Sequence, residues 1–237
     1  MGSALSPSTS TLALTAFPER LVYEVSWGIL PVGEATLEVA RLVEFAGRAA
    51  YHVVSTARSN RFCDTFYKVR DVNESWIDAG TLTSLGYSKR LREGRFFRDE
   101  WVVYDPEGGR FLGRSSGREG SYTHHAGTVP ASVQDILSSL YYVRTRELRV
   151  GSEVILDVNT RQNWPLVVRV LGRETIRTPA GTFPAILVEP AIRQEGIFIQ
   201  KGRRLQVWLS EDARRIPVLM RVEVFFGHVT ARLIKMI

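Results

Sequence analysis

The sequence predicts a mostly-β fold: a single strongly bent antiparallel sheet or incomplete β-barrel of about 11–13 strands, with one main α-helix (132–144) against it. Three observations predict it. From residue 18 onward the hydrophobic pattern has period two, turn signals recur at short intervals, and one segment alone switches to the helical period. The 237 residues can bury a core without a metal or disulfide staple.

The strand signal begins where Leu21, Tyr23, Val25 and Trp27 alternate with Arg20, Glu24 and Ser26. After the Gly/Pro turn region Gly28–Gly33, Ala35, Leu37 and Val39 repeat it. Further strands are expected at Tyr51–Ala57, Lys68–Asp78, Leu82–Arg92, Arg95–Tyr104 and Arg110–Arg114. The second half adds Glu153–Val158, Leu166–Leu171, Phe183–Glu189, Gly196–Ile199, Leu205–Leu209, Val218–Phe226 and Val229–Ile234. Arg114–Pro130, rich in Gly, Ser and His, reads as a long loop or hairpin within one domain over 18–237.

The helix follows Pro130, which keeps the preceding chain extended. Val133, Ile136, Leu137, Leu140 and Tyr141 fall on one face, with Ser132 as the expected cap and Asp135 at the third helical position. Residues 1–17 are Ser/Thr/Ala-rich, contain no Lys or Arg, and lack the apolar run of a secretory signal. Met1-Gly2-Ser3 resembles a cloning start, so this stretch is read as disordered or added by cloning.

Composition excludes several classes. Hydrophobic residues at 44% and charged residues at 24% are ordinary globular values, and no apolar run approaches the ~20 residues of a membrane helix. Integral membrane insertion is therefore not expected. Lys+Arg total 31 against 25 Asp+Glu, a net +6, and the only lysines are Lys68, Lys89, Lys201 and Lys235. The arginines are interspersed with acids, as in Lys89-Arg90-Leu91-Arg92-Glu93-Gly94-Arg95, which reads as solvated strand faces rather than a nucleic-acid footprint. Cys63 is the sole cysteine, so no internal disulfide forms, and its neighbours Phe62 and Phe66 suggest a buried, inert thiol.

No catalytic motif is present. The histidines His52, His124, His125 and His228 lack metal-ligand spacing, and the tandem pair reads as a solvated loop. There is no nucleophile elbow and no phosphate loop, and no metal, cofactor or catalytic residue is implied. Trp27, Trp76, Trp101, Trp164 and Trp208 serve either core packing or an apolar cavity within the bent sheet. On the cavity reading, Tyr23, Val25, Trp27, Trp76, Trp101 and Trp208 line it, with Arg58 or Arg204 at the mouth for an anionic head group.

Several stretches together carry a resemblance: Phe17-Pro18-Glu19-Arg20-Leu21-Val22-Tyr23-Glu24-Val25-Ser26-Trp27-Gly28, Ser59–Asp71, Val133–Arg144 and Trp208–Val218, with Thr178-Pro179-Ala180-Gly181-Thr182-Phe183. They resemble the bacterial domain of unknown function 3108 family over about residues 18–237. The resemblance implies an exported, periplasmic protein of Gram-negative-type bacteria with no established activity. Residues 183–237 also look like the strand–turn–strand of lipoprotein-carrier folds, where a bent sheet wraps a helix and an apolar cavity. The leading expectation is a non-enzymatic cell-envelope protein binding or carrying a lipid or glycolipid. The alternatives are an envelope scaffold that binds a protein partner and, third, an enzyme acting on envelope polysaccharide or lipid. A cavity would separate carrier from scaffold, and convergent carboxylates or histidines would favour the enzyme.

Overall fold

The structure, a computed structural model, describes residues 18–117, 120–191, 204–224 and 226–237. The first arm of the sheet comprises β1 (Glu19–Trp27), β2 (Leu30–Phe45), β3 (Arg48–Ser59), β4 (Arg70–Asp78), β5 (Ser84–Glu93), β6 (Phe96–Asp105), β7 (Arg110–Ser116) and β8 (Tyr122–Thr128). A one-turn helix α1 (Arg61–Asp64) lies between β3 and β4, and helix α2 (Ile136–Arg144) separates the arms. The second arm comprises β9 (Glu153–Asn159), β10 (Asn163–Thr178), β11 (Gly181–Ala191), β12 (Leu205–Ser210), β13 (Pro217–Glu223) and β14 (His228–Met236).

All fourteen strands form one sheet in the order β8-β7-β6-β5-β4-β3-β2-β1-β14-β13-β12-β11-β10-β9. Each arm is a meander of hairpins, and the antiparallel β1–β14 pair joins them. The sheet is not closed, since β8 and β9 remain edges. Curvature nonetheless brings the arms together: Tyr104 donates to the Asn159 carbonyl at 3.0 Å and Asn163 Nδ2 to the Thr128 carbonyl at 2.7 Å. The chain after β8 occupies the opening. Val133 accepts from the Ser84 N–H, and Gln134 makes a parallel bridge to Val158 of β9.

Two sequence readings are corrected here. The helix starts at Ile136 with Asp135 as its cap rather than Ser132, because residues 133 and 134 spend their backbone groups on the sheet. Arg114–Pro130, expected as a long loop or hairpin, holds the β7–β8 hairpin, and His124 and His125 lie in β8 rather than in a loop. Gly113 makes room there, since a Cβ would meet the His125 ring at 2.4 Å. The readings for residues 1–17 and for the Gly196–Ile199 strand lie outside the described residues.

Helix α2 is held at both ends against the concave face. Asp135 accepts from the Leu137 and Ser138 N–H groups and from the hydroxyls of Ser75 and Ser84, each hydroxyl at 2.6 Å. Those two serines come from β4 and β5, so a local cap is also a tertiary anchor. At the far end Arg144 forms a bidentate, buried pair with Glu19 of β1 at 2.8 and 2.7 Å. It also donates to the Arg214 carbonyl in the β12–β13 turn. Around this frame packs a core of Leu21, Tyr23, Val53, Ile77, Tyr141, Val218 and Leu233. Tyr23 satisfies its hydroxyl on the Pro217 carbonyl at 2.8 Å.

The two ends of the sheet differ in what they expose. Every exposed aromatic side chain among the described residues lies at the end where β1 finishes. Trp27 belongs to the β1–β2 turn region, Phe62, Phe66 and Tyr67 to the β3–β4 connection, Phe96 and Tyr122 to strand starts, and Phe226 to the β13–β14 turn. Ile29 and Leu30 add aliphatic tips. Cys63 is half-buried in α1 and its neighbours Phe62 and Phe66 are exposed, so the buried environment expected for the thiol is not found. A single helical turn at a strand exit has no second layer to cover it.

Candidate functional site

Between α2 and the concave face lies a cavity of about 260 Å³. It exceeds the ~150 Å³ void that admits benzene and approaches the ~300 Å³ lower end of ordinary ligand pockets. The second arm supplies an aliphatic wall of Leu166, Val168, Val188, Leu205, Val207 and Met220, and the helix adds Ile136, Leu137, Leu140 and Val143.

The first arm supplies a different wall. Strand pairing aligns Ser55 with Asn73, Asn73 with Lys89, Lys89 with Glu100, and Glu100 with Ser115. Side chains at directly paired positions share a face, so these form one polar row across β3–β7. Ser55, Asn73 and Lys89 border the cavity, and the buried Asn73 Oδ1 has no hydrogen-bond partner. Buried polar atoms are ordinarily satisfied, so this carbonyl marks a place where a donor is wanted.

Charge is unbalanced at the end of the row. Glu100 is buried, accepts from the Tyr87 hydroxyl, and faces Arg98 at 3.3 Å and Arg161 at 3.5 Å. Burial pushes its carboxyl up, but Lys89, the Tyr87 hydrogen bond and the two arginines together hold it below its ordinary value. Three cations thus face one carboxylate. Burial lowers the Lys89 ammonium from its ordinary range, against the pull of Glu100. Lys89 makes no ion pair within contact distance among the described residues, which leaves its charge available to a ligand in the cavity.

Of the six residues expected to line a cavity, Tyr23 does so. Trp76 and Trp101 lie on the opposite, convex face, where Phe45 stacks on Trp76 at 4.8 Å and Trp76 meets Trp101 at 5.0 Å. His52 stacks on the other flank of Trp76 at 5.1 Å and meets Glu74 Oε1 at 3.0 Å. The phase of these strands explains the correction. In β4 it is Ser75 and Ile77, and in β6 it is Glu100 and Val102, that pack inward, so the tryptophans between them face out. Gly86 makes that outer cluster possible, since a Cβ there would press on the Phe45 ring at 3.1 Å.

Trp208 also turns away from the cavity that its neighbours Leu205 and Val207 line. It sits between Leu187 and Leu219, with the Arg221 guanidinium 5.5 Å above its ring. Val25 is half-buried outside the lining. Trp27 is 48% exposed at the strand end and donates to the Phe226 carbonyl at 2.6 Å. The arginines expected at the mouth are already paired: Arg58 with Glu34 at 2.9 Å and Arg204 with Glu223 at 3.3 Å.

Among the cavity residues that escaped the sequence reading, two stand out. Trp164 is the tryptophan that does line the cavity, its indole N–H bonded to Thr160 Oγ1 at 3.1 Å. Lys89 is the other, and its signal was present: it occupies the inward phase of Leu85, Tyr87 and Leu91. Among the described residues no three His, Cys, Asp or Glu side chains gather as a metal site would require, and no helix is long and apolar enough to cross a membrane.

Comparison with known proteins addresses the fold and the family. Among curated proteins none matches the chain significantly. A beta-barrel-like protein of domain of unknown function DUF1849 from Brucella abortus is similar, with a TM-score of 0.59 at 10% identity over 95% of this chain and 99% of that one. A hypothetical protein, CT021, from Chlamydia trachomatis aligns at 10% identity over 94% and 88% of the two chains, with a TM-score of 0.40. The first likeness supports a barrel-like architecture. The model for the protein of unknown function family DUF3108 matches residues 22–234, nearly the whole length, and the chain belongs to that family.

Proposed function

We propose that the protein binds or carries a small amphipathic anion, a carboxylate or phosphate on an acyl-type chain, in the cavity beneath α2. One observation carries this reading: the cavity is aliphatic on the second-arm side and ends on the first-arm side at the Lys89 ammonium. An apolar tail gains by leaving water, while an ammonium in a partly desolvated site gains by meeting an anion. The acids nearby are engaged in structure. Asp135 caps the helix and Glu100 accepts from Tyr87, which favours binding over acid–base chemistry. A lipid of the cell envelope, reached in the periplasm, fits this chemistry.

Titration with an environment-sensitive fatty-acid probe tests the proposal, with Trp164 as the intrinsic reporter. The expected result is saturable binding that Lys89→Met weakens about tenfold, the scale of one charge-assisted contact. Affinity should also fall as the pH rises through the Lys89 titration, which lies below the ordinary lysine value. Absence of saturable binding by any anionic acyl probe, or equal binding by Lys89→Met, would overturn it.

A further inference from the structure

The aromatic end of the sheet plays no part in the cavity argument, and it is chemically unlike the rest of the surface. Its side chains do not form a groove. They project from successive turns as separate tips, with Ile29 94% exposed, Phe66 79% and Phe226 78%. Phe62 and Phe66 meet edge to face at 5.5 Å, a cluster facing solvent. Soluble surfaces rarely gather apolar tips in this way without a partner.

Charge at this end points to the nature of that partner. Arg61, Lys68 and Arg95 are exposed among the tips. Three acids there are held by arginines, Glu34 by Arg58, Asp64 by Arg70 at 2.6 Å and Glu223 by Arg204, while Asp71 and Glu93 share a hydrogen bond with each other. Separate aromatic tips ringed by cations match the interface of an anionic bilayer, where Trp, Tyr and Phe settle at head-group depth and basic side chains meet lipid phosphates. A protein partner would be expected to meet a continuous packed surface instead.

We infer that this end docks peripherally on anionic lipid bilayers, with the β1–β2 turn and the α1 segment entering the head-group region. The cavity lies in the same half of the sheet, toward the ends of β11 and the start of β12, as Pro190 and Leu205 in its wall show. Docking does not depend on the cavity's ligand.

Co-sedimentation of the full chain with vesicles of equal parts phosphatidylglycerol and phosphatidylcholine tests this inference. Binding is expected, with weaker binding to phosphatidylcholine alone and a decrease with salt. The double variant Ile29→Glu/Phe66→Glu should lose about tenfold or more in partitioning, since it removes two apolar tips and adds like charge to the lipid. Leu112→Glu/Ile155→Glu, which alters exposed residues of β7 and β9 away from the tips, should bind as wild type. Lys89→Met should also bind vesicles as wild type, which separates this inference from the cavity proposal. No vesicle binding at low salt, equal loss in both double variants, or a dimer that Ile29→Glu/Phe66→Glu dissolves would overturn it.

Discussion

The two arms of the sheet build the same cavity from opposite materials. Along the second arm, Leu166, Val168, Val188 and Val207 present only aliphatic surface to the interior. Along the first, the equivalent inward positions carry Ser55, Asn73, Lys89 and Glu100. A sheet closing on a dry core needs both walls apolar, because an unpaired buried polar group costs about 1–3 kcal/mol. The polar row therefore marks where stability has been given up, and it lies on one arm only. This difference between walls, rather than the presence of a void, is what argues for an amphipathic ligand.

The contrast can be tested from its strongest member downward. Helix α2 spans both walls, and its Arg144–Glu19 pair is the most deeply buried ion pair described. Arg144→Met leaves Glu19 without its partner and should cost about 3–5 kcal/mol in chemical denaturation. On the aliphatic wall, Leu166→Ala should cost about 2–3 kcal/mol, the low end for such truncations, because one side of Leu166 already faces empty space. The enlarged cavity should bind a fatty-acid probe at least as well as before. On the polar wall the pattern reverses: Lys89→Met should leave stability within about 1 kcal/mol, since Arg98 and Arg161 still hold Glu100. Its effect belongs to binding.

The smallest effect concerns pH. Glu93 is pushed up to about 7, first by burial and then by the charge of Asp71 beside it. Its native carboxyl holds a proton more tightly than the unfolded one. Folding stability from this group is therefore fully present below the unfolded value of 4.5 and is lost as pH rises through about 7. Glu93→Gln should flatten that part of the stability–pH curve and gain on wild type above neutrality, as thermal unfolding at pH 5 and pH 8 will show.

Much of the fold was legible because its signals are local. Period-two alternation and Gly/Pro turns located most strands, and the apolar stripe located α2. The β7–β8 hairpin was blurred because β8 is nearly all exposed and has no apolar phase to read. The site was harder to read, for a physical reason. Binary patterning assumes that the apolar phase faces inward, and in β4 the inward phase is Asp71, Asn73, Ser75 and Ile77 while Val72 and Trp76 face out. Where a sheet lines a polar wall, the rule assigns the faces backwards. Reading Lys89 correctly required asking why a charge shares a phase with Tyr87 and Leu91.

The junction of the arms has a consequence for how the molecule is made. Leu21 pairs with Met236, and Arg20 exchanges both backbone hydrogen bonds with Ile237, at 3.0 and 2.9 Å. Every other strand pairing joins strands that follow one another along the chain, whereas this one waits until the whole second arm has been synthesised. Until then β1 is an open edge, and the inward side chains Leu21 and Tyr23 lack the strand that will cover them. Such an interval invites association between nascent copies. The nascent chain is thus most vulnerable at its middle seam, and slowing the emergence of β14 should raise the misassembled fraction more than slowing any other strand.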